Sequence, residues 1–351
     1  MKIASPHPTA YLSKEFERFA ENECKDASPF YHNLSKQIAG DEALLRLCAF
    51  VKEGQPVPNA FLAAIHFLIL KNRQASLANY YPSLTGQQTE AIPFALFKTF
   101  IQEHQQQITA LLQQRIVQTN VLTRCNYLLP AFSSILSLTN GPATIIDIGA
   151  SAGLNLNFDC YEYYYNGEKR FGNSPVKLHC QTKGEKIPAI KPFNNPIRKI
   201  GIDQHPIDLT NADDLTWLQA LIWPDQTERF SMLKEALQIP ELSQIELTRS
   251  STIADFKNLI EAVDPGDTLI VYATHVLYQF TDELLHAFYN LLDAIGQTRD
   301  FYFLSAEATD AVRLKWGIAN TAVVLTTYKN KYKQEELIAE TNGHGNWLKW
   351  H

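Results

Sequence analysis

The stretch Thr144–Leu154, TIIDIGASAGL, constrains this chain more than any other. Thr144 to Asp147 is a β-branched apolar run closed by an acid. Gly149, Ala150, Ser151, Ala152 and Gly153 follow, none larger than a hydroxymethyl group, and then a run with helical spacing. A buried strand, a tight turn without bulky side chains and a helix start make a βα corner. Such corners lie where open α/β sheets hold their ligands.

The chain on either side of this corner reads differently. Before it, residues 1–140 show three- and four-residue apolar steps and no period-two alternation. Tyr11, Phe16, Phe19 and Ala20 fit one stripe, and Leu44, Leu45, Leu47, Cys48 and Val51 a second. Phe61–Leu70 reads as a buried helix. A helix opens near Pro93, and another runs from about Val121 to Thr139. Asn140-Gly141-Pro142 then stops the pattern. This half is expected to be an all-α cap domain, residues 1–140.

After the corner, β-branched or aromatic runs alternate with helical ones. Strands are expected at Thr144–Ile148, Arg198–Asp203, Ile245–Thr248, Thr268–Ala273, Phe301–Ser305, Thr321–Tyr328 and Glu336–Glu340. Helices are expected at Asp214–Leu221, Gln226–Leu237, Ile253–Ala262, Asp282–Ile295 and Thr309–Trp316. The alternation implies an α/β domain, residues 141–351, with a mostly parallel sheet and helices on both faces. The last two strands are close enough to form an antiparallel hairpin at one edge. Cys160–Pro196 breaks the rhythm with Tyr161, Tyr163, Tyr164, Tyr165 and four prolines. It reads as an insertion holding a hairpin, Asp159–Tyr165 against Val176–Cys180. Such an insertion either shapes a site mouth or extends the sheet at its edge.

Composition narrows the partners. A net charge of −6, with no basic run, disfavours nucleic acid and anionic membrane surfaces. Phe61–Leu70 is far shorter than the ~20 residues of a membrane span, and the N-terminal residues lack a signal-peptide core. Five scattered cysteines without a CxxC pair suit reduced thiols, and no metal site is expected. The expectation is a cytoplasmic protein acting on a small molecule, with neither nucleic acid nor membrane as partner. The sequence does not specify an oligomeric state.

Asp147-Ile-Gly149-Ala-Ser151-Ala-Gly153 resembles the first motif of class I S-adenosylmethionine-dependent methyltransferases, acid-x-Gly-x-Gly-x-Gly. The resemblance implies a methyltransferase-like, Rossmann-like sheet and S-adenosylmethionine as cofactor. The first glycine turns the chain, the small residues Ala150 and Ser151 let the backbone lie against the cofactor, and Gly153 closes the turn. Asp147 can meet the methionine ammonium or the turn's own amides. Ser151 stands where the pattern has its middle glycine. Asp203 ends the second strand, where an acid bonds ribose hydroxyls in such sheets. It lies fifty positions after Gly153 instead of the usual ~20, and the Tyr-rich insertion accounts for the excess. The alternative role for Asp203 is a turn or capping acid. After the third strand the chain offers Arg249-Ser250-Ser251 and no carboxylate, leaving adenine recognition to a hydroxyl such as that of Ser250, to backbone groups, or to nothing.

The fourth strand leads into His275 and Tyr278, at the strand end where ligands bind. His275 is placed for general-base work and Tyr278 for stacking or hydrogen bonding. A half-buried structural histidine is the plainer account of His275. Glu307, after the fifth strand, faces the same edge, or is an ordinary acid at a helix start. Two rivals use these residues. Gly149-Ala-Ser151-Ala-Gly153 is a literal G-x-S-x-G nucleophile elbow, with Asp264 or Asp267 and His275 following in hydrolase order. The elbow belongs mid-sheet, however, and no strand precedes Thr144. A nicotinamide corner requires G-x-G-x-x-G, and its second and third glycines are missing. A non-catalytic binding or scaffold module that kept the fold is the remaining alternative.

Further strings mark a family. They are Gln118-Thr-Asn120-x-x-x-Arg124-Cys125, IIDIGASAGLNLNFDCYEYYY, Asn173-Ser-Pro175-Val, Gly201-Ile-Asp203-x-x-Pro206-Ile-Asp208, Trp217 to Arg229, and Gly343-His344-Gly345-Asn-Trp347-Leu-x-Trp350. Together they resemble the bacterial family catalogued as domain of unknown function 2332, over about residues 10–351. That family is similar to class I methyltransferases in its core, which implies a fold and no assigned reaction. Its strings add Asn120 and Arg124 beside Thr119, spaced to share a helix face. Arg124 can pair with a cofactor carboxylate through its planar fork, or with Asp147 or Asp159. Trp223 reads as an aromatic over a cleft or, more simply, as core. His344 is either a closing residue or a turn histidine between glycines.

Overall fold

A computed structural model describes residues 8–89, 91–250 and 252–351. The chain forms two compact units, each assembled from two pieces of sequence. The first comprises Met1–Thr119 and Ile207–Lys234, the second Asn120–Pro206 and Glu235–His351. The boundary expected at residue 140 is therefore replaced by crossings at 119, 206 and 234. Cys125–Leu136 is a helix with nearly every side chain buried, which ties it to the sheet unit. Ile207–Lys234 goes the other way because its apolar residues complete the helical unit.

Among its described residues the first unit contains helices and no strand. Val57–Lys71 is its central helix, buried from Phe61 to Leu70 as its unbroken apolar run requires. Thr9–Phe19 packs through Leu12, Phe16 and Phe19, whereas Tyr11 is exposed. Trp223 belongs to the core of this unit, with ring centroids 5.6 Å from Phe19 and 5.8 Å from Tyr31. Asp225 accepts hydrogen bonds from Ser28 Oγ at 2.7 Å and from the Phe30 N–H at 3.3 Å. It thereby caps the helix Pro29–Ala39. The WPDQ string thus acts as a clasp that docks the returning segment.

The second unit is built on an eleven-stranded sheet. Its strands are β1 (Ala143–Ile148), β2 (Glu162–Tyr165), β3 (Glu168–Phe171), β4 (Lys177–Thr182), β5 (Ile197–Asp203) and β6 (Glu246–Arg249). β7 (Thr268–Thr274), β8 (Phe301–Glu307), β9 (Thr321–Lys329), β10 (Tyr332–Thr341) and β11 (Trp347–Trp350) complete it. Their spatial order is β3-β2-β4-β11-β10-β9-β8-β7-β1-β5-β6. The five strands β6, β5, β1, β7 and β8 are mutually parallel. Taken in chain order they run 3-2-1-4-5, so the winding reverses between β1 and β7. That reversal opens a crevice at the carboxyl ends of these strands.

β1 is buried at all six positions, as a central parallel strand must be. The two-residue period divides its side chains. Ile146 and Ile148 join Ile200, Ile202, Val271, Phe288 and Phe303 on one face. Ile145 and Asp147 point to the other, where Phe132 of the helix Cys125–Leu136 meets Tyr272 and Phe158. In register, Asp147 lies between Gly201 of β5 and Tyr272 of β7.

The expected edge hairpin forms as β9–β10 but sits inside the sheet, because β11 and the Tyr-rich strands continue beyond it. The insertion pairs differently from expectation. β2 forms its hairpin with β3 and lies parallel to β4, so the Tyr161–Tyr165 segment and Val176–Cys180 are not hairpin partners. The insertion extends the sheet, docked by β11, which bridges β10 and β4. Among the described residues no helix is long and apolar enough to cross a membrane.

Candidate functional site

The corner after β1 is drawn tightly onto β5. The N–H groups of Gly149 and Ala150 both donate to the Ile202 carbonyl, at 2.9 and 3.1 Å. Ser151 N–H donates to Asp203 Oδ2 at 2.9 Å, and Gly153 N–H to the Ala150 carbonyl at 2.7 Å. Asn120 brackets the turn, its Nδ2 donating to Ala150 O at 3.3 Å and its Oδ1 accepting from Leu154 N–H at 3.2 Å. Ala150 fits here because Gly201 opposite has no side chain. A Cβ on Gly201 would lie 2.7 Å from that of Ala150.

Three features mark the corner, and the first and last are unlike the sequence expectation. Leu154–Cys160 is a 3-10 stretch broken at Asn157, not the start of an α-helix. The amides of Gly149, Ala150, Ser151, Gly153 and Leu154 are consumed inside the protein, so the corner is not the N–H cradle that a pyrophosphate requires. The space beside its glycines is also taken by neighbours. A Cβ on Gly149, whose φ is +77°, would come within 2.5 Å of Val276 Cγ2, and one on Gly153 within 3.1 Å of Ile245 and Leu247.

Asp147 is 3% exposed. Burial pushes its carboxyl up to about 8, the Tyr272 phenol pulls it back, the nearby charge of Asp203 pushes it further, and Arg124 pulls it down. Asp203 is tied to the turns, since it also accepts the His205 N–H at 2.8 Å through Oδ1. Ser250 N–H donates to the Asp203 carbonyl at 2.9 Å, which sets Ser250 beside this acid, while Ser251 lies outside the described residues. Ser151 holds a left-handed φ of 54°, and its buried Oγ has no hydrogen-bond partner.

Arg124 stands at the start of the helix Cys125–Leu136 and reaches two strand ends. Its Nε donates to Gly343 O and its Nη1 to Thr274 O, both at 3.1 Å. Neither expected carboxylate pairing forms: Asp159 is instead taken by the buried Lys199 of β5. The guanidinium retains donors beyond these two bonds. The Gly343–Gly345 turn closes on this region, for a Cβ on Gly345 would lie 2.5 Å from the Thr123 carbonyl.

His275 follows β7 with a left-handed φ of 52°, its N–H donating to Ala306 O at 2.9 Å. Its Nε2 lies 3.4 Å from Thr321 Oγ1. Burial, then the charges of Arg124 and His344, push the imidazole down to about 3. It is neutral across the physiological range. Tyr278, three residues on, is 60% exposed. The acids proposed for a hydrolase relay sit at the wrong strand end. Asp267 accepts Thr144 Oγ1 at 2.6 Å where β1 and β7 begin, roughly 25 Å of extended chain away from His275 at about 3.3 Å per residue.

Sequence reasoning gave Glu307 less weight than its environment warrants. It is 3% exposed, and its Oε1 accepts the N–H groups of Val276 and Leu277, both at 2.9 Å. Its Oε2 is buried without a hydrogen-bond partner. Burial raises its pKa, while the amides of Leu277 and Val276, the charge of Arg124 and the amide of Tyr278 pull the other way. The sequence signal was an acid closing an apolar strand, the same signal that marks Asp147 and Asp203.

The ends of four adjacent strands therefore bring Asp147, Glu307 and His275 near Arg124, with Asp203 beside Asp147. The bacterial family described as "Uncharacterized protein conserved in bacteria (DUF2332)" matches residues 13–350. The chain belongs to the DUF2332 family. No curated protein matches it. The DUF2332 match spans both units, so the helical unit belongs to the family as much as the sheet does. Among the described residues of this DUF2332 protein, no three His, Cys, Asp or Glu side chains cluster as metal ligands.

Proposed function

We propose that the sheet unit is methyltransferase-like, binds S-adenosylmethionine at Asp147–Gly153 and Asp203, and transfers its methyl group to a small molecule. The observation that carries the reading is the corner itself: a small-residue turn at the winding reversal, with a buried acid at the strand end. Because the turn amides are already bonded, this corner suits a ligand read by carboxylates better than one read through a pyrophosphate.

The residues present fit the cofactor in three respects. A cationic ammonium beside Asp147 would offset the burial that holds this carboxyl protonated. Asp203 is an acid at the second strand's end, where such sheets hold ribose hydroxyls, and Arg124 has donors left for a carboxylate. Bound S-adenosylmethionine would supply an electrophilic methyl on its sulfonium. The protein would align the acceptor with it and keep water away. His275 offers a neutral ring nitrogen to the acceptor's proton. With so depressed a pKa it accepts that proton only where an anionic neighbour offsets the depression.

One observation favours a second reading. Val276 covers Gly149, as it would in a scaffold or ligand-binding module that has no use for the cofactor. Titration calorimetry with S-adenosylhomocysteine separates the two. The methyltransferase reading expects micromolar affinity, weakened at least tenfold by Asp147→Asn and unaffected by Asp267→Asn at the opposite strand ends. No binding at millimolar ligand would leave the scaffold reading.

A further inference from the structure

The segment His275–Gln279 joins β7 to the helix Asp282–Gly296, and both of its ends are fixed. At one, the His275 N–H is bonded to Ala306 O of β8. At the other, Thr281 Oγ1 caps the helix by accepting from Leu284 N–H at 3.2 Å. Between these points Leu277 is plugged into the core, 3% exposed, while Tyr278 stands in solvent. Val276 and Leu277 share a single acceptor, Glu307 Oε1. That bond places the Val276 side chain against the bare Cα of Gly149.

We propose that Glu307 is a positioning residue that holds Val276 as a cover over the glycine corner, and that an adenosyl ligand enters by displacing this cover. Only the identity of the ligand rests on the reading above. The closed arrangement carries two local penalties. His275 occupies a left-handed conformation that non-glycine residues avoid. Glu307 Oε2 is withheld from water with no partner. Moving Val276 off Gly149 would let water reach the Glu307 carboxylate. A ligand that prefers the uncovered corner would shift Val276 away from Gly149. Gly149 is then small for two reasons in turn, first for Val276 and then for the ligand.

Amide hydrogen exchange on the whole protein tests this without any ligand. Glu307→Ala should speed exchange at Val276 and Leu277 by tenfold or more while the amides inside β7 and β8 keep their rates. Glu307→Gln, which retains one carbonyl oxygen, should recover most of the protection. Unchanged rates at 276 and 277, or equal acceleration along β7, would overturn the proposal. A second arm uses S-adenosylhomocysteine. Val276→Ala should raise its association rate severalfold in stopped flow, and an unchanged rate with binding intact would also overturn the cover. If neither protein binds, the ligand assignment falls, and the exchange result alone decides for or against the cover.

Discussion

At the end of β1 a carboxyl is buried within range of a second acid, and the consequence can be measured. A free aspartate titrates near 3.9, whereas folded Asp147 is pushed up to about 8. The folded state therefore binds a proton that the unfolded chain has released. The stability this lends is complete below pH ~4 and is lost as pH rises towards 8. Glu307, also raised, has the same sign. His275 has the opposite one, its contribution vanishing as pH falls from ~6.5 towards 3. Asp147→Asn should flatten the decline between pH 5 and 8 and melt above the wild type at pH 8, by a few kcal/mol at most. Equal slopes in the two melting series would show that Asp147 ionises freely. Ser151 allows a simpler test. Its left-handed backbone costs about 1–2 kcal/mol and its orphaned hydroxyl about 1–3, against roughly 0.5–1 for the extra freedom of glycine when unfolded. Ser151→Gly is expected to stabilise the protein by about 1–4 kcal/mol in thermal melts, and a loss of stability would mean that the hydroxyl has a use in the folded chain. The sequence names both residues because acid and small-residue positions are local. It cannot show Val276 over Gly149 or Glu307 beneath Val276, since those contacts join positions far apart in the chain.

Elements were legible where their signal is periodic. The strands from Thr144 to Glu340 and the helices between them fall within a few residues of the expected bounds, because each carries its own apolar run. What failed was pairing. Nothing local in Glu162–Tyr165 names its pairing partner, so its parallel alignment with β4 was hidden. β11 is only four residues long, too short to announce itself, yet it is the strand that joins the Tyr-rich strands to β10. The run after Gly153 carries helical spacing but turns as 3-10, because it is pinned at one end by Asn120 and broken at Asn157. Deleting residues 347–351 should leave β4 and β10 with open edges. Limited proteolysis should then cut residues 183–196 faster than in the full chain. Unchanged cutting would show that the tyrosine anchors alone hold the insertion, for Tyr161 and Tyr165 donate to the carbonyls of Leu154 and Asn126.

For the whole molecule, the division at residues 119, 206 and 234 was not legible, because it depends on which unit each apolar face completes. Composition does not distinguish the two pieces. What composition supports is a partner without phosphate chains, and the acid-rich crevice is consistent with a small cationic one. If the ammonium of an adenosyl ligand settles beside Asp147, it must displace the proton that burial keeps there. Calorimetric titration of the full-length protein with S-adenosylhomocysteine at pH 7, repeated in phosphate and in Tris, reads that proton directly. The account predicts heats that differ between the buffers by the release of about one proton, and no such difference in Asp147→Asn. Binding with buffer-independent heat, or no binding at all, would contradict it.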